Sequence, residues 1–235
     1  MAQRGINVAN LGVVDYPTAL ALQNAMVAAR YADEIDDTLL LLEHPHVFTL
    51  GRGADERFLL AGRPPSIPVY RVSRGGQVTY HGPGQLIGYP ILKLDGRDRD
   101  VSAYLRRLEE AMIRALGDFG IAAGRREKLT GVWVGEHKIA SIGVGIRRWV
   151  TYHGLALNVC SDLRQFAGIV PCGIQGCELT SIAALGHPEV GVNEFAAAMR
   201  PRFAEVFGYQ TIIDTDAAEL WKLAHHAAPA RIEHA

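Results

Sequence analysis

The chain has 235 residues, 49% hydrophobic and 21% charged, enough apolar material for one sizeable core and too much for a disordered chain. Its 24 Lys+Arg oppose 25 Asp+Glu, and the resulting net charge of -1 excludes the basic excess of a phosphate-neutralising nucleic-acid binder. No apolar run approaches the ~18 residues of a membrane span, and three cysteines are too few and too uneven for a disulfide framework.

In chain order, Asp15 stands before Pro17 as a helix start, and Ala19, Leu22, Met26 and Ala29 follow at helical spacing. Residues 38–42 and 47–50 read as strands broken by His44-Pro45-His46, and 69–72 and 86–94 read as further strands. Asp100 caps the clearest helix, with Val101, Tyr104, Leu105, Leu108, Met112, Ala115 and Phe119 on one face. Residues 131–134 and 138–146 form a hairpin turning at Gly135-Glu136, and 152–159 add another strand. Asn193 is expected to cap a helix through Phe207 that Pro201 kinks, and 216–226 to form a last short helix. The hairpin requires antiparallel pairs, so the expected fold is α/β (α+β): one domain with a mixed, largely antiparallel sheet flanked by helices. The absence of an apolar signal segment at the N-terminus adds the expectation of a cytoplasmic protein.

Three segments carry chemistry. The densest is Arg74-Gly75-Gly76-Gln77-Val78-Thr79-Tyr80-His81-Gly82-Pro83-Gly84-Gln85. Its glycines let backbone approach a ligand, and the interleaved Arg74, Gln77, Tyr80 and His81 are more directional polar groups than a glycine-turned hairpin needs. It lacks the Gly-Lys-Ser/Thr of a phosphate loop. On this basis Arg74, Tyr80 and His81 are expected to serve ligand capture more than folding. The second segment is Ile169-Val170-Pro171-Cys172-Gly173, where a thiol between Pro and Gly sits on an accessible turn. Cys160 suits a buried strand end, and Cys177 follows Cys172 at the wrong interval for a zinc or redox pair. The third is Lys138, one of only four lysines (with Lys93, Lys128 and Lys222), set in an apolar strand. Spacing alone does not bring Lys138 to Cys172. The string Val-Thr-Tyr-His-Gly occurs at 78–82 and again at 150–154, without matching flanks. His44 and His46 read as loop residues rather than metal ligands.

Together these segments resemble the lipoate–biotin protein ligase superfamily, and within it the octanoyltransferases. Glu43-His44-Pro45, Thr49-Leu50-Gly51, Lys138-Ile139-Ala140-Ser141-Ile142-Gly143, His153-Gly154-Leu155-Ala156-Leu157-Asn158 and Pro171-Cys172-Gly173 match in the same order, over about residues 10 to 210. The resemblance implies a biotin/lipoate protein ligase catalytic fold over residues 1–213, followed by a C-terminal extension at 214–235. It implies octanoyl transfer from octanoyl-acyl carrier protein to a lysine of lipoyl domains, those of 2-oxoacid dehydrogenase complexes and of the glycine cleavage H protein. By position, Cys172 takes the acyl-thioester role and Lys138 tunes or deprotonates it. Arg74, Gly75, Gly76, Gln77, Val78, Thr79, Tyr80 and His81 take the acyl-binding role, as do Ser141, Ile142 and Gly143 and Gly154, Leu155 and Ala156. No cofactor, metal, nucleic acid or membrane is expected. The chemistry fits the residue types: a cysteine can accept and release a thioester, and thioester to amide runs downhill without a nucleotide. An ATP-dependent lipoate–protein ligase and a catalytically silent binding module are the alternatives.

Overall fold

The computed structural model describes residues 4–171, 176–225 and 233–234. Among these, β1 (Gly5–Val13), α1 (Tyr16–Tyr31), β2 (Thr38–Glu43), β3 (Val47–Leu50), β4 (Val69–Arg71), β5 (Val78–His81) and β6 (Gln85–Ile91) form the first half. The second half comprises α2 (Val101–Gly117), β7 (Gly124–Arg126), β8 (Leu129–Val134), β9 (His137–Arg147), β10 (Val150–Asn158), α3 (Val192–Phe207), β11 (Thr211–Asp214), α4 (Ala217–His225) and β12 (Glu233–His234). The large sheet runs β11-β1-β2-β6-β10-β9-β8-β7. Its β1 pairs with β11 and β2 in parallel, and every other neighbour is antiparallel. The expected mixed, largely antiparallel sheet flanked by helices is therefore present. No described helix is long and apolar enough to cross a membrane.

The run Thr38-Leu39-Leu40-Leu41-Leu42 shows why β2 is central. Leu39 and Leu41 enter the core formed with α2 and α3, while Leu40 and Leu42 enter the core formed with α1 and α4. A strand covered on both faces needs apolar residues at every position, which is why no alternation is visible there. The Asp15 carboxylate caps α1 by accepting from the Thr18 amide at 3.0 Å, and Asp100 caps α2 by accepting from Ala103 at 3.0 Å. Helix α3 begins differently from expectation. Its cap is Gly191, and Asn193 lies inside the first turn with its side chain accepting from Asn10 at 3.2 Å. Pro201 lies within α3 on its exposed side, and the helix continues through it.

A second sheet, β12-β4-β3-β5, was not foreseen from the sequence. Phe48, Leu50, Val78, Tyr80, Phe166 and Ile169 form its own core, and Tyr70 and Val72 pack it against Tyr16 and Leu20 of α1. This small sheet brings the glycine-rich segment against the β9–β10 hairpin. The chain leaves β10 at Asn158 and turns across Gly84, so Cys160 is exposed rather than buried. The Cys160 amide donates to Gly84 O at 2.9 Å. Gly84 has φ +82, and a Cβ there would sit 2.7 Å from the Cys160 backbone, so only glycine permits this crossing.

Candidate active site

A cavity of about 230 Å³ lies where the two sheets meet. From the small-sheet side it is lined by Arg74, Gly76, Gln77, Val78, Thr79 and His81. From β9 it is lined by Lys138, Ser141, Ile142 and Gly143, and from β10 by His153, Gly154, Leu155 and Ala156. Three motifs that are far apart in the chain thus share one cavity. The Gly75 amide donates to Val144 O at 2.8 Å, which stitches the glycine-rich loop to β9; Gly75 itself does not line the cavity.

Tyr80 is placed elsewhere. Side chains alternate along a strand, so Thr79 and His81 reach the cavity while Tyr80 turns into the small-sheet core between Phe48 and Phe166. Its hydroxyl pairs with His46 Nδ1 at 2.5 Å, and burial pushes it up to about 12. Tyr80 thus packs in the small-sheet core and, unlike Thr79 and His81, does not line this cavity.

Lys138 reaches the cavity because of a β-bulge. Strict alternation would set Lys138 on the face opposite Ser141 and Gly143. Val132 pairs with Ala140 but Trp133 pairs with Lys138, so β9 carries one extra residue, Ile139. Ile139 and Ala140 both enter the α2–α3 core, and the parity flips. Lys138 is 2% exposed, with Nζ donating to Thr130 O at 3.1 Å and lying 5.4 Å from the centre of the Trp133 ring. Its backbone pairs with the segment after Cys172: Lys138 N donates to Glu178 O at 2.8 Å, and Thr180 N to Lys138 O at 3.0 Å. Cys172 and Gly173 lie outside the described residues.

The inner wall holds fixed polar groups. Arg74 is buried, its guanidinium donating to Thr49 O at 2.7 Å and to Thr49 Oγ1 at 2.8 Å. Burial, reinforced by the His44 ring and the Arg74 charge, holds His81 down to about 3. Burial followed by the Arg74 charge holds His153 down to about 3, and burial holds His44 down to about 4. All three rings are neutral near pH 7. His44 lies in the β2–β3 loop, as expected, and is buried there: Nδ1 donates to Val14 O at 2.6 Å, so Nε2 accepts from the Tyr89 hydroxyl at 2.7 Å. Both copies of the repeated Tyr-His-Gly string therefore place their histidine on the cavity. Tyr16, Tyr89, Leu129 and Thr130 also line it and were not singled out in the sequence. Tyr16 follows the Asp15 cap at the start of α1, and its ring packs 6.2 Å from His81, centre to centre.

Residues 15–204 match the family model for the lipoyl protein ligase A/B catalytic domain. The chain belongs to this family. An octanoyltransferase of Solibacter usitatus is 52% identical over 206 residues, covering 86% of this chain and 93% of the relative. One of Geotalea uraniireducens is 47% identical over 198 residues, covering 84% and 91%. Among solved structures, a lipoate-protein ligase A bound with ATP superposes with a TM-score of 0.73 at 19% identity, covering 96% of this chain and 93% of that one. At that identity the likeness speaks for the fold alone.

Proposed function

We propose that the octanoyl transfer this acyltransferase carries out in protein lipoylation runs through a thioester on Cys172. Octanoyl-acyl carrier protein is the donor, and a lysine of a lipoyl domain, in a 2-oxoacid dehydrogenase complex or the glycine cleavage H protein, is the acceptor. The observation that carries this reading is the bulge that turns Lys138 into a cavity walled by the acyl-binding motifs. Glu178, six residues beyond Cys172 in the sequence, accepts from the Lys138 amide.

In the first half-reaction the Cys172 thiolate attacks the donor carbonyl carbon. The C–S bond to the carrier breaks, and the carrier thiol leaves with one proton. In the second, the acceptor amine attacks the Cys172 thioester, an amide C–N bond forms, and the Cys172 thiol is regenerated. The neutral Lys138 amine takes the thiol proton in the first half-reaction and gives it to the departing carrier thiolate; in the second it takes the acceptor amine's proton and gives it to the departing Cys172 thiolate. Ile142, Leu155 and Ala156 supply apolar wall for the acyl tail, and the fixed Arg74–Thr49 pair holds the glycine-rich wall in place. A reducing, cytoplasmic setting suits a free catalytic thiol.

The test is intact-protein mass spectrometry after incubation with octanoyl-acyl carrier protein, without ATP and with a chelator. One octanoyl increment is expected in the wild type and in Cys160→Ala and Cys177→Ser, and none in Cys172→Ser. Adduct in Cys172→Ser, or turnover only with ATP and magnesium, would overturn the reading.

A further inference from the structure

Helix α2 buries a carboxylate among its apolar residues. Glu109 is wholly inaccessible, in the stripe that also buries Leu108, Ala111 and Met112. A buried carboxylate is tolerated only where its oxygens are fully engaged. Oε2 accepts from Arg106 Nη1 at 2.7 Å and from Arg125 Nε at 3.0 Å. Oε1 points elsewhere: it accepts from the Gly131 amide at 3.0 Å.

The Gly131 amide and the Thr130 carbonyl belong to one rigid, planar peptide unit. Thr130 O is the oxygen that accepts from Lys138 Nζ at 3.1 Å. The path is therefore carboxylate, peptide N–H, peptide C=O, lysine Nζ, with a negative group at the donor end and an N–H donor at the acceptor end. Hydrogen bonds at both ends of a peptide polarise it in the same sense and strengthen each other. Gly131 makes the arrangement possible, with φ +131 and a site where a Cβ would lie 2.7 Å from Lys138 Cε and 2.6 Å from Ala140 O. The lysine side chain crosses the backbone where any other residue would displace it.

We infer that Glu109 is a positioning residue for Lys138, acting across the sheet through the Thr130–Gly131 peptide. The inference rests on the catalytic role proposed for Lys138. A carboxylate that only anchored Arg106 and Arg125 would not need its second oxygen on this peptide.

The test compares steady-state octanoyl transfer in Glu109→Gln, Glu109→Met, Arg125→Ala and Lys138→Ala, each assayed well below its own Tm. Glu109→Gln keeps an acceptor for Gly131 but a weaker, uncharged one, and Glu109→Met removes it at similar length. Misplacing a reacting group lowers kcat rather than substrate affinity, so kcat should fall about threefold in Gln and about tenfold or more in Met, with KM for octanoyl-acyl carrier protein within about twofold. Arg125→Ala removes an ion-pair partner but not the contact to Gly131, so its Tm should fall while kcat stays within about twofold. If Glu109→Met does not fold, the comparison of Glu109→Gln with Arg125→Ala decides. Wild-type kcat in Glu109→Gln, or an equal loss of kcat in Arg125→Ala, would overturn the inference while an inactive Lys138→Ala leaves the function proposed above standing. A fully active Lys138→Ala would remove both.

Discussion

Arg74 opens the glycine-rich stretch, yet its side chain is buried and held by Thr49. Its guanidinium donates to the Thr49 hydroxyl oxygen, so the Thr49 hydroxyl hydrogen is free to point to His81 Nε2 at 3.5 Å. His81 Nδ1 donates to Gln85 Oε1 at 2.8 Å, Gln85 Nε2 to Asn158 Oδ1 at 3.0 Å, and Asn158 Nδ2 to Thr180 O at 3.1 Å. Each step fixes the tautomer or amide orientation of the next. The two residues expected to act together with Arg74 therefore part company: His81 belongs to this wall, and Tyr80 to the core behind it. Tyr80→Ala should lower the unfolding free energy by about 3–5 kcal/mol, whereas Tyr80→Phe, which loses only the hydroxyl contact to His46, should lose about 0.5–1.5 kcal/mol. Chemical denaturation measures both, and Tyr80→Phe should still form the Cys172 acyl adduct. A Tyr80→Phe protein that folds normally but takes up no octanoyl group would return Tyr80 to the binding wall. The sequence disclosed the glycine-rich segment and Lys138 through their composition. It did not disclose that Lys138 faces the cavity, because the bulge at Ile139 reverses the alternation that a reader of the sequence must assume. Tyr16 and Tyr89 were hidden for a different reason: each occupies a position that its helix or strand pattern already explains.

At the scale of elements, local signals were readable and distant pairings were not. Helices α1 and α2 were visible because Asp15 and Asp100 announce their starts and apolar residues recur on one face. Removing the Asp100 side chain should cost about 1 kcal/mol, because the Ala103 amide loses its partner. Asp100→Ala should melt lower and transfer octanoyl groups at the wild-type rate; unchanged stability would mean that water replaces the cap in full. Strand β1, by contrast, holds glycine and two asparagines and takes its place by pairing with β11, as in Gly5 with Thr211. Nothing within nine residues reveals a partner some two hundred positions away. The small sheet was missed similarly. Its β3 and β4 pair in parallel and β3 and β5 antiparallel, and β5 lies inside the segment whose glycines dominated its reading.

At the scale of the molecule, the two sheets join around a set of buried neutral histidines beside one buried guanidinium, and this fixes how stability depends on pH. His44, His81 and His153 are held at about 4, about 3 and about 3 in the fold, chiefly by burial, against about 6.5 in an unfolded chain. Because the folded values are depressed, the unfolded state binds more protons between about pH 3 and 6.5, so stability rises with pH through that window and is level above it. Going from pH 7.5 to 5.5 crosses the unfolded value by one unit, which removes about 1.4 kcal/mol per histidine and roughly 4 kcal/mol for the three. Carboxylates such as Asp37 and Asp118, whose ion pairs with arginine hold them low, stay ionised in both states over this range and do not contribute. Protonation of His81 or His153 would also place a cation beside Arg74, so acid should loosen the joint between the sheets before it unfolds either core. Urea unfolding at pH 7.5, 6.5 and 5.5 measures the slope, and His44→Gln, which removes one of the three titrating rings, should reduce the difference by about a third. A stability that stays level from pH 7.5 to 5.5 would mean that these rings charge as readily in the folded protein as in water, and that the inner wall of the cavity is wet rather than sealed.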